Sequence, residues 1–288
     1  MIDRRSPGLR AGLVIGLLAM TACLRSQAGS PPSVDAGAVF RQIHDRYTGK
    51  RFTHVTFVQR TEPADGPVEL WYEAIRPPGL VRVDKAPLQG LDGLMYRRDS
   101  LYTFDAGDVV VAKGDERWIT MLVLVDIYAL PLDATLMRLR ELGVDLDAMH
   151  ESHWLGRPVL VTGALAGDTT AAQIWYDREH LYPVRVIQPP GGGHPRVEFQ
   201  MSHHRFMEGG WIEGEIRILV GGRLVTTECY AEVRPHPGLA EELFDPHAFA
   251  TRRWAETEYP EVDSPPECAR PDEDAHAPPP VVGELPAR

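Results

Sequence analysis

The sequence predicts a mainly β (α+β) fold: an unclosed antiparallel β-barrel of about ten to eleven strands, with an N-terminal helix and a helical lid or plug. Three observations predict it. Apolar residues recur with period two through most of the chain. Turn-forming residues punctuate these runs, and 26 Gly and 25 Pro among 288 residues exceed the usual combined share of roughly 12%. Between most runs no amphipathic helical segment intervenes, so the strands lack the crossovers that a parallel sheet requires.

Taken in order, the folded part opens with a helix. Ser33 or Asp35 can cap it, Val39, Phe40, Ile43 and Tyr47 fall on one face, and Gly49 stops it. The period then changes to two over 53–59, 68–73 and 79–84. Asp92-Gly93 and the turn at 105–108 separate strands at 94–97, 101–104 and 109–113, spaced as the hairpins of a meander. The stretch Trp118 to Leu132 breaks the pattern because it is almost wholly apolar, and a helix from Leu132 or Asp133 to Leu142 follows it. A helix apolar all round must be buried or face something apolar, so this segment is either a plug sealing the sheet's core or a lid over a hollow. Strands resume at 157–163, 172–177, 183–187, 195–206, 212–220 and 223–233, with Gly191-Gly192-Gly193 and Gly221-Gly222 as turns, and a short segment at 243–249 ends the domain.

The termini read differently. Arg4, Arg5 and Arg10 precede an apolar run from Leu13 to Cys23. That run is shorter than the roughly 20 residues that span a bilayer and fits an export signal. Its end, Leu18-Ala19-Met20-Thr21-Ala22-Cys23, resembles a bacterial lipobox, which would leave Cys23 acylated and the protein membrane-tethered; cleavage after Ser26-Gln27-Ala28 is the alternative. The expected organisation is a signal peptide at 1–22, a tether at 23–33, one half-barrel domain at 34–254 and a disordered, acidic, Pro-rich tail at 255–288. Export places Cys229 and Cys268 in an oxidising compartment, where they either pair or remain one buried and one tail thiol.

Charge excludes several functions. With 30 Lys and Arg against 41 Asp and Glu the net charge is −11; losing three Arg and one Asp with the signal makes it −11 − 2 = −13. Nucleic acid is an improbable partner for such a chain, since phosphate recognition needs an excess of cations. Of eleven His, adjacent His203 and His204 would point to opposite faces of a strand, and His150 and His153 lack the i, i+4 spacing of helical zinc sites. Gly191-Gly192-Gly193-His194 lies between strands rather than before a helix, so it is not a phosphate cradle. No nucleophile–base constellation stands out, and neither enzyme activity nor a cofactor is expected. What does stand out is the supply of large apolar side chains on strands with few helices to cover them. Val55, Phe57, Leu70, Tyr72, Leu80, Trp118, Leu122 and Trp175 are the expected lining of a hollow interior with its lid.

The order of these features resembles the LolA/LolB-like lipoprotein-localisation superfamily. The resemblance rests on Phe57-Val58-Gln59, on the strand at 79–84, on the Asp92-Gly93 hairpin and on the central apolar segment. Gly156-Arg157-Pro158-Val159-Leu160-Val161, Ile174-Trp175-Tyr176-Asp177 leading to Tyr182-Pro183-Val184-Arg185, and a last turn at 238–246 complete it. It implies a lidded half-barrel whose apolar interior holds acyl chains of lipid or lipoprotein in the bacterial envelope, and it places Arg82 as an inward-lying basic residue. An envelope interaction or sensory module on the same fold, with a protein partner, is the alternative function.

Overall fold

A computed structural model describes residues 35–114, 117–191, 195–260 and 262–268. The expected signal peptide, the tether, Cys23 and His194 lie outside the described residues.

The first element, α1 (Ala36–Tyr47), is capped by the Asp35 carboxylate, which accepts from the Gly37 amide at 2.9 Å. Eleven strands follow in two groups: β1 (Val55–Pro63), β2 (Glu69–Arg76), β3 (Leu80–Lys85), β4 (Gly93–Arg97), β5 (Ser100–Asp105) and β6 (Asp108–Gly114), then β7 (Met149–Trp154), β8 (Arg157–Thr162), β9 (Gln173–Asp177), β10 (Pro183–Gln188) and β11 (Val197–Ser202). Between the groups run α2 (Ile119–Leu124), a 3-10 turn at Asp126–Tyr128 and α3 (Leu132–Glu141). After β11 come β12 (Arg205–Met207), β13 (Gly210–Ile212), β14 (Glu215–Val220) and the long β15 (Arg223–Pro235).

Thirteen strands form one antiparallel sheet in the order β6-β5-β4-β3-β2-β1-β15-β14-β11-β10-β9-β8-β7. β1 pairs with both β2 and β15, which joins the two meanders at the centre of the sheet. The first and last strands of this order are not paired with each other, so the barrel is unclosed, as the sequence predicts. Two details differ from expectation. The runs at 195–206 and 212–220 are each broken, and the ends released by these breaks form a separate hairpin, β12–β13. Positive φ at His203 (54°) turns the chain at the first break, and at Gly209 (78°) it makes the turn of that hairpin. β7 was not anticipated, because His150, Glu151, Ser152 and His153 give it no apolar alternation.

Part of each face of this sheet is covered, by different means, while β6 at its edge is exposed. On the concave face, α1 packs Val39, Phe40, Ile43 and Tyr47 with Ile119, Leu122, Val123, Ile127 and Leu139 against Leu160, Ile174, Tyr176 and Val186 of β8–β10. That half of the trough is filled. On the convex face the chain from Leu239 to Tyr259 runs as a strap across β1–β5. Leu243, Phe244 and Phe249 cover Ala74, Leu80, Met95 and Phe104; Ala255 and Tyr259 cover Val58, Leu70 and Tyr72.

Three arginines on the convex side of β2, β3 and β4 hold this strap by its carbonyls. Arg76 donates to Leu239 at 2.6 Å, Arg82 to Leu243 at 3.1 Å and Phe249 at 2.9 Å, and Arg97 to Phe244 at 2.7 Å. The strap therefore continues the domain past residue 254, correcting the expected start of the tail. α4 (Trp254–Glu258) is helical, Tyr259 donates its hydroxyl to Thr56 at 2.8 Å, and Cys268 is disulfide-bonded to Cys229 on β15. A cross-link closing 39 residues removes enough freedom from the unfolded chain to stabilise by roughly 3–4 kcal/mol.

Candidate functional site

The concave face is not filled throughout. Over β1–β4, β14 and β15 the side chains leave a cavity of about 400 Å³, roofed by Trp118, Thr120, Met121, Leu124 and Val125. Its size is that of pockets for small organic ligands. α2 thus has two faces with different tasks. Ile119, Leu122 and Val123 are packed in the core, whereas Met121 and Leu124 look into the hollow. Plug and lid are the same short helix seen from opposite sides. It is tied down at both ends: the Ile119 amide donates to Gln188 Oε1 at 3.1 Å, and Asp126 accepts from the Gly79 amide at 2.6 Å in the β2–β3 turn.

Strand register decides which residues line the hollow. Across the sheet the concave row runs Phe57–Glu73–Val83–Leu94, and a parallel row brings Val81 beside Ile75 and Tyr96. On the far side of β1, Tyr230 and Glu228 of β15 face Gln59 and Thr61, and Ile216 and Ile218 of β14 continue the surface. Of the sequence-predicted lining residues, Val55, Phe57 and Trp118 are in the cavity wall. Leu70, Tyr72, Leu80 and Arg82 point to the convex face, under the strap. Trp175 is also convex, edge-on to Trp154, with the Arg185 guanidinium over both rings. Leu122 is on the roof helix but turned into the core.

The cavity is mostly walled by Val, Ile, Leu and aromatic rings, yet three carboxyls enter it: Glu73 from β2, Glu213 from the turn between β13 and β14, and Glu228 from β15. None has an ion-pair partner among the described residues. Arg51, the one cation among the described residues of the wall, is otherwise engaged. Its guanidinium lies 3.9 Å from the Phe52 ring centroid and 4.3 Å from that of Tyr128, and it donates to the Trp211 carbonyl. Burial, reinforced by Glu228 and Glu213, pushes the Glu73 carboxyl well above its ordinary range. Burial raises Glu213 as well. Glu228 is pushed up to about 7 by burial and then by Glu213, against a hydrogen bond from Gln59 that favours its ionised form. The sequence reading missed all three, because a single Glu inside an apolar run reads as the polar face of a half-buried strand.

These carboxyls make stability fall with rising pH. Each binds its proton more tightly folded than unfolded, so the folded state holds more protons between about pH 4.5, the ordinary glutamate range, and about 7. Their stabilising contribution is complete below that window and is lost as pH rises through it. The melting temperature is expected to drop from pH 6.5 to pH 8, and Glu228→Gln is expected to flatten the decline in differential scanning fluorimetry; a parallel curve in the variant would contradict this. Glu198, lowered beside Arg185, acts below this window. The buried neutral His204, down at about 3, adds stability as pH rises to about 6.5 and opposes the carboxyls there, so their trend stands alone only above about 6.5.

No three metal-ligating side chains gather at one point among the described residues. His204 is stacked on Tyr182 with ring centroids 3.9 Å apart and reaches the Pro183 carbonyl, while burial takes its ring down to about 3, so it is neutral.

Fold and site together define a lidded, unclosed antiparallel barrel whose concave face encloses an apolar hollow. No family model and no curated protein matches the chain. Solved structures similar to it include a domain from Vibrio parahaemolyticus provisionally named for outer-membrane lipoprotein sorting (10% identity, TM-score 0.49, 74% of this chain and 97% of that one). A LolA superfamily protein from Nitrosomonas europaea is similar at 12% identity and TM-score 0.45, over 74% and 98% of the two chains. A DUF1329 family protein from Desulfovibrio piger follows at 12% identity and TM-score 0.47, over 75% and 96%.

Proposed function

We propose that the protein binds the acyl chains of a lipid or lipoprotein in the bacterial envelope, holding them in the hollow beneath α2 without catalysing a reaction. The observation that carries this reading is the apolar cavity itself, about 400 Å³ set between a packed roof helix and a sheet whose other face is covered over β1–β5 by the strap. A core that needed only to be stable would close over such a space, since unfilled apolar volume is destabilising. The Cys229–Cys268 bond supports an oxidising compartment. Among the described residues no helix is long and apolar enough to cross a membrane, so membrane attachment on this reading is through an acylated Cys23.

Apolar burial alone provides the affinity, at ~0.8 kcal/mol for each buried methylene. Displacement of N-phenyl-1-naphthylamine by straight-chain alcohols of increasing length is the test. Each added pair of methylenes is expected to tighten binding by roughly tenfold until the chain fills the cavity, after which affinity levels off. An absence of displacement by every chain length would overturn the proposal.

A further inference from the structure

The three carboxyls are unexplained by apolar binding. Glu73 is only 8% exposed, and it stands in a row between Phe57 and Val83 with no hydrogen-bond or ion-pair partner among the described residues. Replacing such a group with an apolar one of similar shape is ordinarily neutral or stabilising. Three of them on three separate segments facing one hollow therefore need a reason beyond the fold. Two further buried polar atoms near the cavity are unpartnered among the described residues. Gln59, 1% exposed, gives its amide nitrogen to Thr61 at 2.8 Å and leaves Oε1 without a donor; Thr120 on the roof, 6% exposed, has an unpaired Oγ1. Four of these five groups are acceptors when ionised or in the amide form, and the fifth can accept. Arg51 forms no ion pair with them: its charge favours ionised Glu213, but its guanidinium lies against two rings and a carbonyl.

Resting on the acyl-chain reading, we propose that the ligand carries an amine on its apolar chain, and that Glu73 receives that ammonium group inside the cavity while Glu213 and Glu228, which also line it, add negative charge nearby. An alkylammonium presents three N–H donors, no acceptor and one positive charge, the complement of what the wall offers. It supplies a cation to Glu73 and Glu228, whose charged neighbours are acids, and in a low-dielectric hollow a hydrogen-bonded ion pair is strong enough to discriminate between head groups. A carboxylate or phosphate head of the same chain length meets three acids and is disfavoured. The apolar walls at Val83, Leu94 and Ile218 then take the chain, while the acids select its polar end.

The experiment compares dodecylamine, dodecanol and dodecanoate, all below their micelle concentrations, as competitors of N-phenyl-1-naphthylamine on the full chain at pH 7. Dodecylamine is expected to bind at least tenfold more tightly than dodecanol, with dodecanoate weakest. In the triple variant Glu73→Gln, Glu213→Gln, Glu228→Gln the amine's advantage over the alcohol is expected to vanish. Glu73→Gln and Glu228→Gln, made singly, replace the triple variant if its circular dichroism shows misfolding, each with a smaller loss of the amine's advantage. Equal binding of amine and alcohol by the native protein, or an amine advantage that survives the substitutions, overturns this inference and leaves the acyl-chain reading standing. Binding of none of the three overturns both.

Discussion

Arg82→Met is expected to lower the unfolding free energy by about 3–5 kcal/mol, the scale of losing one partner of a buried charge pair. Arg82 is 1% exposed, and every hydrogen bond made by its fork is directed at the strap or at the strand beneath it. Nε and Nη2 hold the two Asp84 oxygens at 2.8 Å each, Nη1 and Nη2 reach the Leu243 and Phe249 carbonyls, and the guanidinium lies 4.3 Å from the Phe249 ring centroid. Removing it leaves Asp84 with the Trp254 indole N–H at 2.6 Å and two buried carbonyls without donors. Arg82→Lys keeps the charge but not the planar fork, so it is expected to recover only part of the loss. Urea unfolding followed by tryptophan fluorescence provides the measurement, and a loss below about 1 kcal/mol would show that the strap does not depend on this residue. Binding of an alkyl probe under native conditions should be unaffected, because Arg82 is on the opposite face of the sheet from the cavity.

The misplacement of Arg82 shows where the sequence stops being readable. The fold class was legible because period two and dense turn residues leave few alternatives, and the roof segment was legible because nothing else in the chain is apolar for so long. On β1, Val55 and Phe57 alternate with Thr56, and the cavity face could be read correctly. On β2 and β3 it could not. Leu70, Tyr72 and Ala74 alternate with Trp71, Glu73 and Ile75, and Leu80 alternates with Val81 and Val83. Both faces are apolar because both are buried, one under α2 and one under the strap. With period two, a choice of the wrong face inverts every residue on the strand. The strap itself was hidden by its composition: prolines and acids dominate the chain beyond residue 255, and the few large residues that anchor it, Phe249, Trp254 and Tyr259, follow neither a helical nor a strand period. Its anchors are arginines far away in sequence that reach backbone carbonyls, and carbonyls carry no sequence signal.

Val83→Trp is expected to weaken the binding of a dodecyl probe by roughly fifty-fold, since the larger ring displaces about three methylenes of chain at ~0.8 kcal/mol each. Val83 is at the centre of the cavity wall, between Glu73 and Leu94, and 2% exposed. In a close-packed core the same substitution would overpack and destabilise by about 1–3 kcal/mol. Here the indole has the hollow to enter, so the melting temperature is expected to hold or rise. The combination matters more than either result alone. Lost binding with a retained or raised melting temperature means that this space is kept open for a ligand at the expense of stability. A lowered melting temperature would mean that the wall cannot admit the ring and that the hollow is smaller than its geometry indicates. Leu122→Glu supplies the contrast from the same region. It is one residue from Met121, but its side chain is packed among Ile119 and Val123 in the core, and a charge there has no partner to meet. That variant is expected to unfold, while Met121→Glu, on the cavity side of the same helix, is expected to stay folded and lose the alkyl probe. Opposite outcomes at neighbouring positions would establish that one face of α2 is structural and the other is for binding; matching outcomes would make the helix a plug throughout.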